Sequence, residues 1–226
     1  MHLLVAFALL AQTGAAPSSG GGRVAGKITV AGLAPKLPNL PVTRDIKVCG
    51  ASKPDESLVV GQGGGVKYAV LWLVDGPPAK KSGKQAHKLD QKSCEFVPHV
   101  VAMPAGTTLE VVNSEKLFHN VHGREGDKTV FNFAMPVPDY VVPKKLEHPG
   151  FIRVNCEVHP WMRAWVVVLP TTAFAVTDES GSYSIADVPP GKYRLKLWHE
   201  RLGEREQPVE VAAGRTATAD LQLSPR

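Results

Sequence analysis

Residues Val154 to Trp165 read VNCEVHPWMRAW. A thiol, an imidazole and a thioether stand at Cys156, His159 and Met162, each three residues from the last. On either side lie GFIRVNC, from Gly150, and RAWVVVLP, from Arg163. Both are short runs rich in β-branched and apolar residues, and both read as strands. A tight loop between two strands can fold three donors drawn from seven residues around one ion. Pro160 stiffens such a loop by fixing φ and removing an amide donor.

Working outward, strand signals dominate from Arg23 onward. RVAGKITVAG alternates and ends on glycine, and LVVGQGGG closes with a glycine turn. YAVLWLV, from Tyr68 to Val74, is continuously apolar, which predicts a strand buried on both faces. VVAMPAGTTLEVVN gives two strands around the turn Pro104-Ala105-Gly106. In the tail, an Asp-Glu-Ser-Gly turn separates two strands, and Pro189-Pro190-Gly191 leads into an alternating strand from Lys192 to Trp198. Two more follow, with Val209 and Val211, then Ala217, Ala219, Leu221 and Leu223, on one face. No long segment carries a clean helical period, so the expected class is all-β.

The chain of 226 residues has room for one large domain or two small ones. Hydrophobic content of 43% and charged content of 21% are ordinary for a globular protein. The net charge of +5 comes without an aromatic-studded basic stripe or nucleic-acid motif, so it points to docking on acidic surfaces and not to DNA. The lysines at 80, 81, 84, 88 and 92 read as a solvated loop able to steer an acidic partner. The apolar run Leu3–Ala11 is too short to span a membrane and fits a secretory signal, taken as residues 1–16, with 17–22 as a flexible linker. The expected location is therefore periplasmic or secreted. In an exported chain with three cysteines, two pair and one is left over. Cys156 sits among metal-ligand residue types, which leaves Cys49 and Cys94 as the disulfide candidates.

A thiolate with imidazoles selects copper or zinc, and a weak thioether tips the balance to copper. A trigonal site of two histidines and one cysteine with a distant methionine suits a metal that changes oxidation state with little movement. The second histidine must come from elsewhere, and SEKLFHNVHG offers His119 and His122. His99, in FVPHVV, is a possible extra ligand that would change the type of centre.

LFHNVH together with CEVHPWMRAWVVV resembles the cupredoxin family of type 1 copper proteins, over roughly Lys88 to Leu169. The resemblance implies a Greek-key β-sandwich at residues 81–170 that holds one copper ion. His119, Cys156, His159 and Met162 are its implied ligands, and Asn120 ties the two ligand loops by hydrogen bonds. It further implies that His159 projects its ring edge through an apolar patch of Pro160 and Trp161, with Met103 or Met135, as the exit for the electron. His122 is then a surface or supporting residue, and His199, in WHE, an edge-strand residue.

The tail VTDESGSYSIADVPPGKYRLKLWH resembles the carboxypeptidase-regulatory-like, transthyretin-like β-sandwich, expected at residues 171–226. Its usual opening is missing upstream of Thr171 and is echoed at GGRVAGKITVAG. Two arrangements follow. In one, strands within residues 23–80 join the tail into a discontinuous sandwich with the cupredoxin inserted, and a Cys49–Cys94 bond staples the two. In the other, an enlarged cupredoxin precedes a separate tail domain.

No nucleophile elbow, phosphate loop or haem-attachment motif is present in the sequence. The expected function is non-enzymatic one-electron transfer with a redox partner protein, a cytochrome or an oxidoreductase. The alternatives are a cell-envelope module for copper storage or delivery, and a copper enzyme with an atypical centre.

Overall fold

The computed structural model describes residues 20–32, 34–79 and 86–224. The apolar start and Lys80, Lys81 and Lys84 lie outside these residues. The chain is all-β. In order come β1 (Gly22–Val30), β2 (Leu40–Pro41), the one-turn helix α1 (Ile46–Cys49), β3 (Ser52–Lys53) and β4 (Val70–Leu73). Then follow β5 (Ala86–Lys92), β6 (Glu95–Val97), β7 (Val100–Pro104), β8 (Thr107–Asn113), β9 (His119–Glu125) and β10 (Lys128–Met135). Next are β11 (Tyr140–Leu146), β12 (Gly150–Asn155), β13 (Arg163–Leu169), β14 (Phe174–Val176) and β15 (Ser182–Val188). The chain closes with β16 (Gly191–His199), β17 (Gly203–Val211), β18 (Thr216–Thr218) and β19 (Leu221–Leu223). Gly22, read in the sequence as linker, already pairs within β1, opposite Val188.

Four sheets stack as four layers. The outermost is β11-β8-β5-β6; against it lies β10-β9-β12-β13-β7. The third is β14-β4-β16-β17, and the fourth is β15-β1-β18, with β19 also on β1. Three apolar seams join them. Leu89, Leu109 and Val111 of the first sheet meet Val121, Val154, Ala164, Val166 and Val168 of the second. Val100, Ala102, Val167 and Leu169 of the second meet Val70, Trp72 and Trp198 of the third. Leu71, Leu73, Leu195 and Leu197 of the third meet Val24, Ile28 and Ile185 of the fourth.

This stacking explains the unbroken apolar runs. A strand between two sheets has both pleat faces dry, so alternation disappears. β4 is such a strand: Leu71 and Leu73 enter one seam, Val70 and Trp72 the other. In β13, Ala164, Val166 and Val168 face the first sheet while Val167 and Leu169 face the third.

Turns hand the chain between layers. Pro104-Ala105-Gly106 sends β7 into the second sheet and β8 into the first. The Asp178–Gly181 turn sends β14 to the third sheet and β15 to the fourth. Asp178 Oδ1 accepts the Ser180 amide at 2.8 Å and the Ser182 amide at 3.0 Å, which holds that turn closed. β1 is sandwiched among the last strands of the chain, antiparallel to β15 and parallel to β18 and β19. β4 pairs with β14 and β16.

The segment from Leu40 to Lys53 goes the other way. Val42 and Cys49 join the core of the first two sheets, and Cys49 is bonded to Cys94 in the β5–β6 turn, with an S–S distance of 2.08 Å. The expected disulfide is therefore formed, and it ties this early segment to the first sheet.

Candidate metal centre

The loop quoted at the outset joins β12 to β13, whose antiparallel register closes at Asn155 opposite Arg163. Within it, Met162 donates its amide to the His159 carbonyl at 2.9 Å, and the Cys156 amide reaches the Met162 carbonyl at 3.3 Å. These bonds fold the loop back on itself, so Cys156 and His159 point to the same place. Next to β12 runs β9, paired through Asn155 opposite His122, and its first residue is His119.

The three donors converge. His119 Nδ1 and His159 Nδ1 are 3.0 Å apart, and Cys156 Sγ lies 3.9 Å from the first and 3.7 Å from the second. Bonds of about 2.0–2.1 Å to nitrogen and about 2.3 Å to sulfur put ligand atoms of one ion at such separations. Both rings are fully buried and Cys156 is nearly so. Met162 is buried in the same loop and Met135 in the same core.

Each ring is oriented from behind. His119 Nε2 donates to Glu115 Oε1 at 2.7 Å, and His159 Nε2 donates to Asp45 Oδ2 at 2.9 Å. A proton held at Nε2 leaves the Nδ1 lone pair as the ligand, and both lone pairs face the thiol. Asn120 donates its amide to Cys156 Sγ at 3.4 Å, and its Oδ1 lies 3.4 Å from the Glu157 amide, so it bridges the two loops. Asn113 binds the carbonyls of Leu117, Met135 and Val137 at 2.9, 3.1 and 3.2 Å, which fixes the segment carrying Glu115 and His119.

Electrostatics favour a thiolate. Burial by itself raises the Cys156 pKa, but the His119 ring and the amides of Asn120, His159 and Val158 hold it below the ordinary thiol value. Burial works against protonation of His119, yet Cys156 and Glu115 lift its pKa to about 9. Burial likewise opposes ionisation of Glu115, and the His119 ring and Cys94 amide outweigh it, lowering its pKa. A thiolate with two imidazole nitrogens is a donor set for a soft or borderline ion, and it fits copper. Metal entry would displace a proton from this pair.

Four expectations are corrected. His99 does not reach this site. Its Nδ1 faces the Arg163 carbonyl at 3.1 Å and its Nε2 is bonded to the Glu200 carboxylate. Both partners only accept, so both ring nitrogens carry protons and no lone pair is left for a metal. Burial opposes this charge, and Glu200 outweighs it to raise the His99 pKa.

His159 does not project to the surface, because Asp45 and the segment after it lie on its ring edge. The patch expected around it is not there either: Trp161, Met103 and Met135 are buried, and Trp161 donates Nε1–H to the Cys94 carbonyl at 3.0 Å. His199 lies on an interior strand, since β16 pairs with β4 and β17, and the ring is buried. His122 supports the site from β9, three residues beyond His119, bound to Glu157 at 2.5 Å and Thr129 at 2.8 Å.

Asp45, Glu115 and Asn113 are functional residues that the sequence reading missed. Glu115 carries a local signal, four residues before His119 in SEKLFH. Asp45 carries none beyond standing four residues before Cys49.

The fold and the site together define an all-β protein with a buried centre of one cysteine and two histidines suited to copper. Residues 157–224 match the model of the carboxypeptidase regulatory-like domain, a span that opens inside the ligand loop. Similar solved structures include a copper-containing nitrite reductase from Thermus scotoductus SA-01, at 20% identity and TM-score 0.34. That match covers 38% of this chain and 23% of the reductase. Amicyanin from Paracoccus versutus is 22% identical with TM-score 0.35, covering 43% of this chain and 96% of that one. No curated protein sequence matches this chain.

Proposed function

We propose that the protein is an exported, non-enzymatic carrier of single electrons with one copper ion held by His119, Cys156 and His159 and by Met162 as a weak fourth ligand. The observation that carries this reading is the triangle of Nδ1, Nδ1 and Sγ atoms at 3.0, 3.7 and 3.9 Å in a fully buried pocket. Copper bound there supplies a one-electron couple between Cu(II) and Cu(I). The chain's part is to keep the donors still. Asp45 and Glu115 fix both rings, Asn120 fixes the sulfur, and the paired ends of β12 and β13 fix the loop.

A closed site supports electron transfer over catalysis. The crevice beside Met162, lined also by Phe96, Trp161 and His99, has a volume of about 20 Å³, room for about one water. Storage or delivery calls for ligands that exchange, whereas these are buried and backed. On this reading β1, β4 and the strands from β14 to β19 form one discontinuous sandwich that serves as scaffold. The disulfide supports a place outside the cytoplasm, in line with the leader expected from the sequence.

Visible absorption of the copper-loaded protein tests the reading. An intense thiolate-to-Cu(II) band that is absent in Cys156→Ala, with a reversible couple by voltammetry, is the expected result. A colourless, redox-silent protein overturns it.

A further inference from the structure

The ring edge of His159 is covered by a short cap made of residues far from the loop in sequence. Asp45, in the left-handed region at φ 52°, accepts the His159 Nε2–H, and α1 follows directly. Its last residue, Cys49, is bonded to Cys94, whose amide is accepted by both Glu115 oxygens at 3.1 and 3.0 Å. The cap and the Glu115–His119 segment thus meet at Cys94.

The outward face of this assembly is apolar with a basic rim. Ile46 is 55% exposed, Val48 68% and Phe118 50%. Arg44, Lys47 and Lys116 stand beside them, exposed, and none makes an ion pair among the described residues. The two carboxylates interleaved with these cations, Asp45 and Glu115, are committed inward to His159 and His119. Glu115 is largely buried and Asp45, though partly exposed, gives one oxygen to His159, so three exposed cations outweigh the acids on this face.

We propose that this cap, Arg44 to Val48 with Lys116 and Phe118, is the docking face for a one-electron partner protein with an acidic rim. The electron crosses through the His159–Asp45 hydrogen bond and not from a bare histidine edge. The proposal rests on the electron-transfer reading above. Charge complementarity selects the partner, because an anionic surface gains from three unpaired cations while Ile46, Val48 and Phe118 supply the dry centre.

The test is stopped-flow oxidation of the reduced, copper-loaded protein by ferricyanide, a small anionic acceptor standing in for the partner. One electron leaves the protein, ferricyanide becomes ferrocyanide, and no proton is exchanged. A cationic cobalt(III) phenanthroline complex serves as the opposite probe. Wild type is expected to react with ferricyanide at a rate that falls as salt is raised. R44E/K47E is expected to lower that rate about tenfold, flatten its salt dependence and speed the cationic probe. K192E, on the third sheet, is expected to change neither. Should R44E/K47E leave both rates at wild-type values while its thiolate band and reversible couple are intact, the docking face is overturned and electron transfer stands. A wild-type protein without that band and couple overturns the electron-transfer reading, and this one with it.

Discussion

Asp45 Oδ2 lies 2.9 Å from His159 Nε2, across 114 residues of sequence, and it settles which nitrogen of the ring faces Cys156. A carboxylate behind a ligating imidazole fixes both its tautomer and its rotation, and losing such a partner costs 10–100-fold in metal affinity in other sites. Asp45→Ala is expected to weaken metal binding by about that factor, measured by competition with a chromophoric chelator. Asp45→Asn keeps an oxygen acceptor and is expected to recover most of the loss. Equal affinities for Asp45→Ala and wild type would show that the loop alone orients the ring.

The Cys49–Cys94 bond joins residues 45 apart and holds the cap in place. By loop-closure entropy, a cross-link of that span stabilises by about 4 kcal/mol. C49S/C94S is expected to unfold at clearly lower denaturant, and also to lose bound metal faster, since Asp45 is freed to leave His159. If the double variant is less stable but releases metal at the wild-type rate, packing of Leu40 and Val42 is what secures the cap.

Gly181 has φ 79°, and a Cβ there would sit 2.2 Å from the Ile28 carbonyl oxygen and 2.8 Å from Gly65 Cα. Both obstacles are backbone, so neither can move aside. Gly126 also has a positive φ, 55°, but open space around it. Gly126→Ala therefore carries only the left-handed backbone cost, about 1–2 kcal/mol. Gly181→Ala adds an overpacking cost of about 1–3 kcal/mol. Denaturant titration of the two variants separates these contributions, and equal losses would show that the fourth sheet shifts freely.

Much of this architecture was legible because it is local. Runs such as Val70–Leu73 and Ala164–Leu169 are apolar at every position, and only a strand between two sheets needs that. The ligand loop was legible because three donors crowd into seven residues. Long-range polar contacts left no local trace. Asp45 finds His159 over 114 residues and Glu200 finds His99 over 101, and each decides a role that the sequence reading had expected otherwise. The edge position expected for His199 failed for a related reason, since the strand that covers it, β4, lies far back in the chain.

His199 and His99 give the protein a pH profile whose two limbs have separate causes. Burial pushes the His199 pKa down to about 4, and its Nδ1 accepts the Arg201 amide at 3.2 Å, so the folded ring stays neutral. The unfolded ring has the ordinary value of about 6.5. Between about 6.5 and about 4 the unfolded chain therefore binds more protons, and stability falls as pH is lowered through that window, by about 3 kcal/mol in all. For His99 the sign reverses: its folded pKa is raised, so its stabilisation is complete below about 6.5 and is lost as pH rises through the raised value. The two windows meet near pH 6.5 and do not cancel. Asparagine at position 199 keeps an acceptor for the Arg201 amide and does not titrate. Urea unfolding of wild type and H199N at pH 7 and pH 5, above the ordinary carboxylate values of about 4, reads the lower limb, with the carboxylates common to both proteins. H199N is expected to lose less stability than wild type between these values. Parallel losses would mean that His199 becomes protonated in place without cost, and that its burial does not hold it neutral.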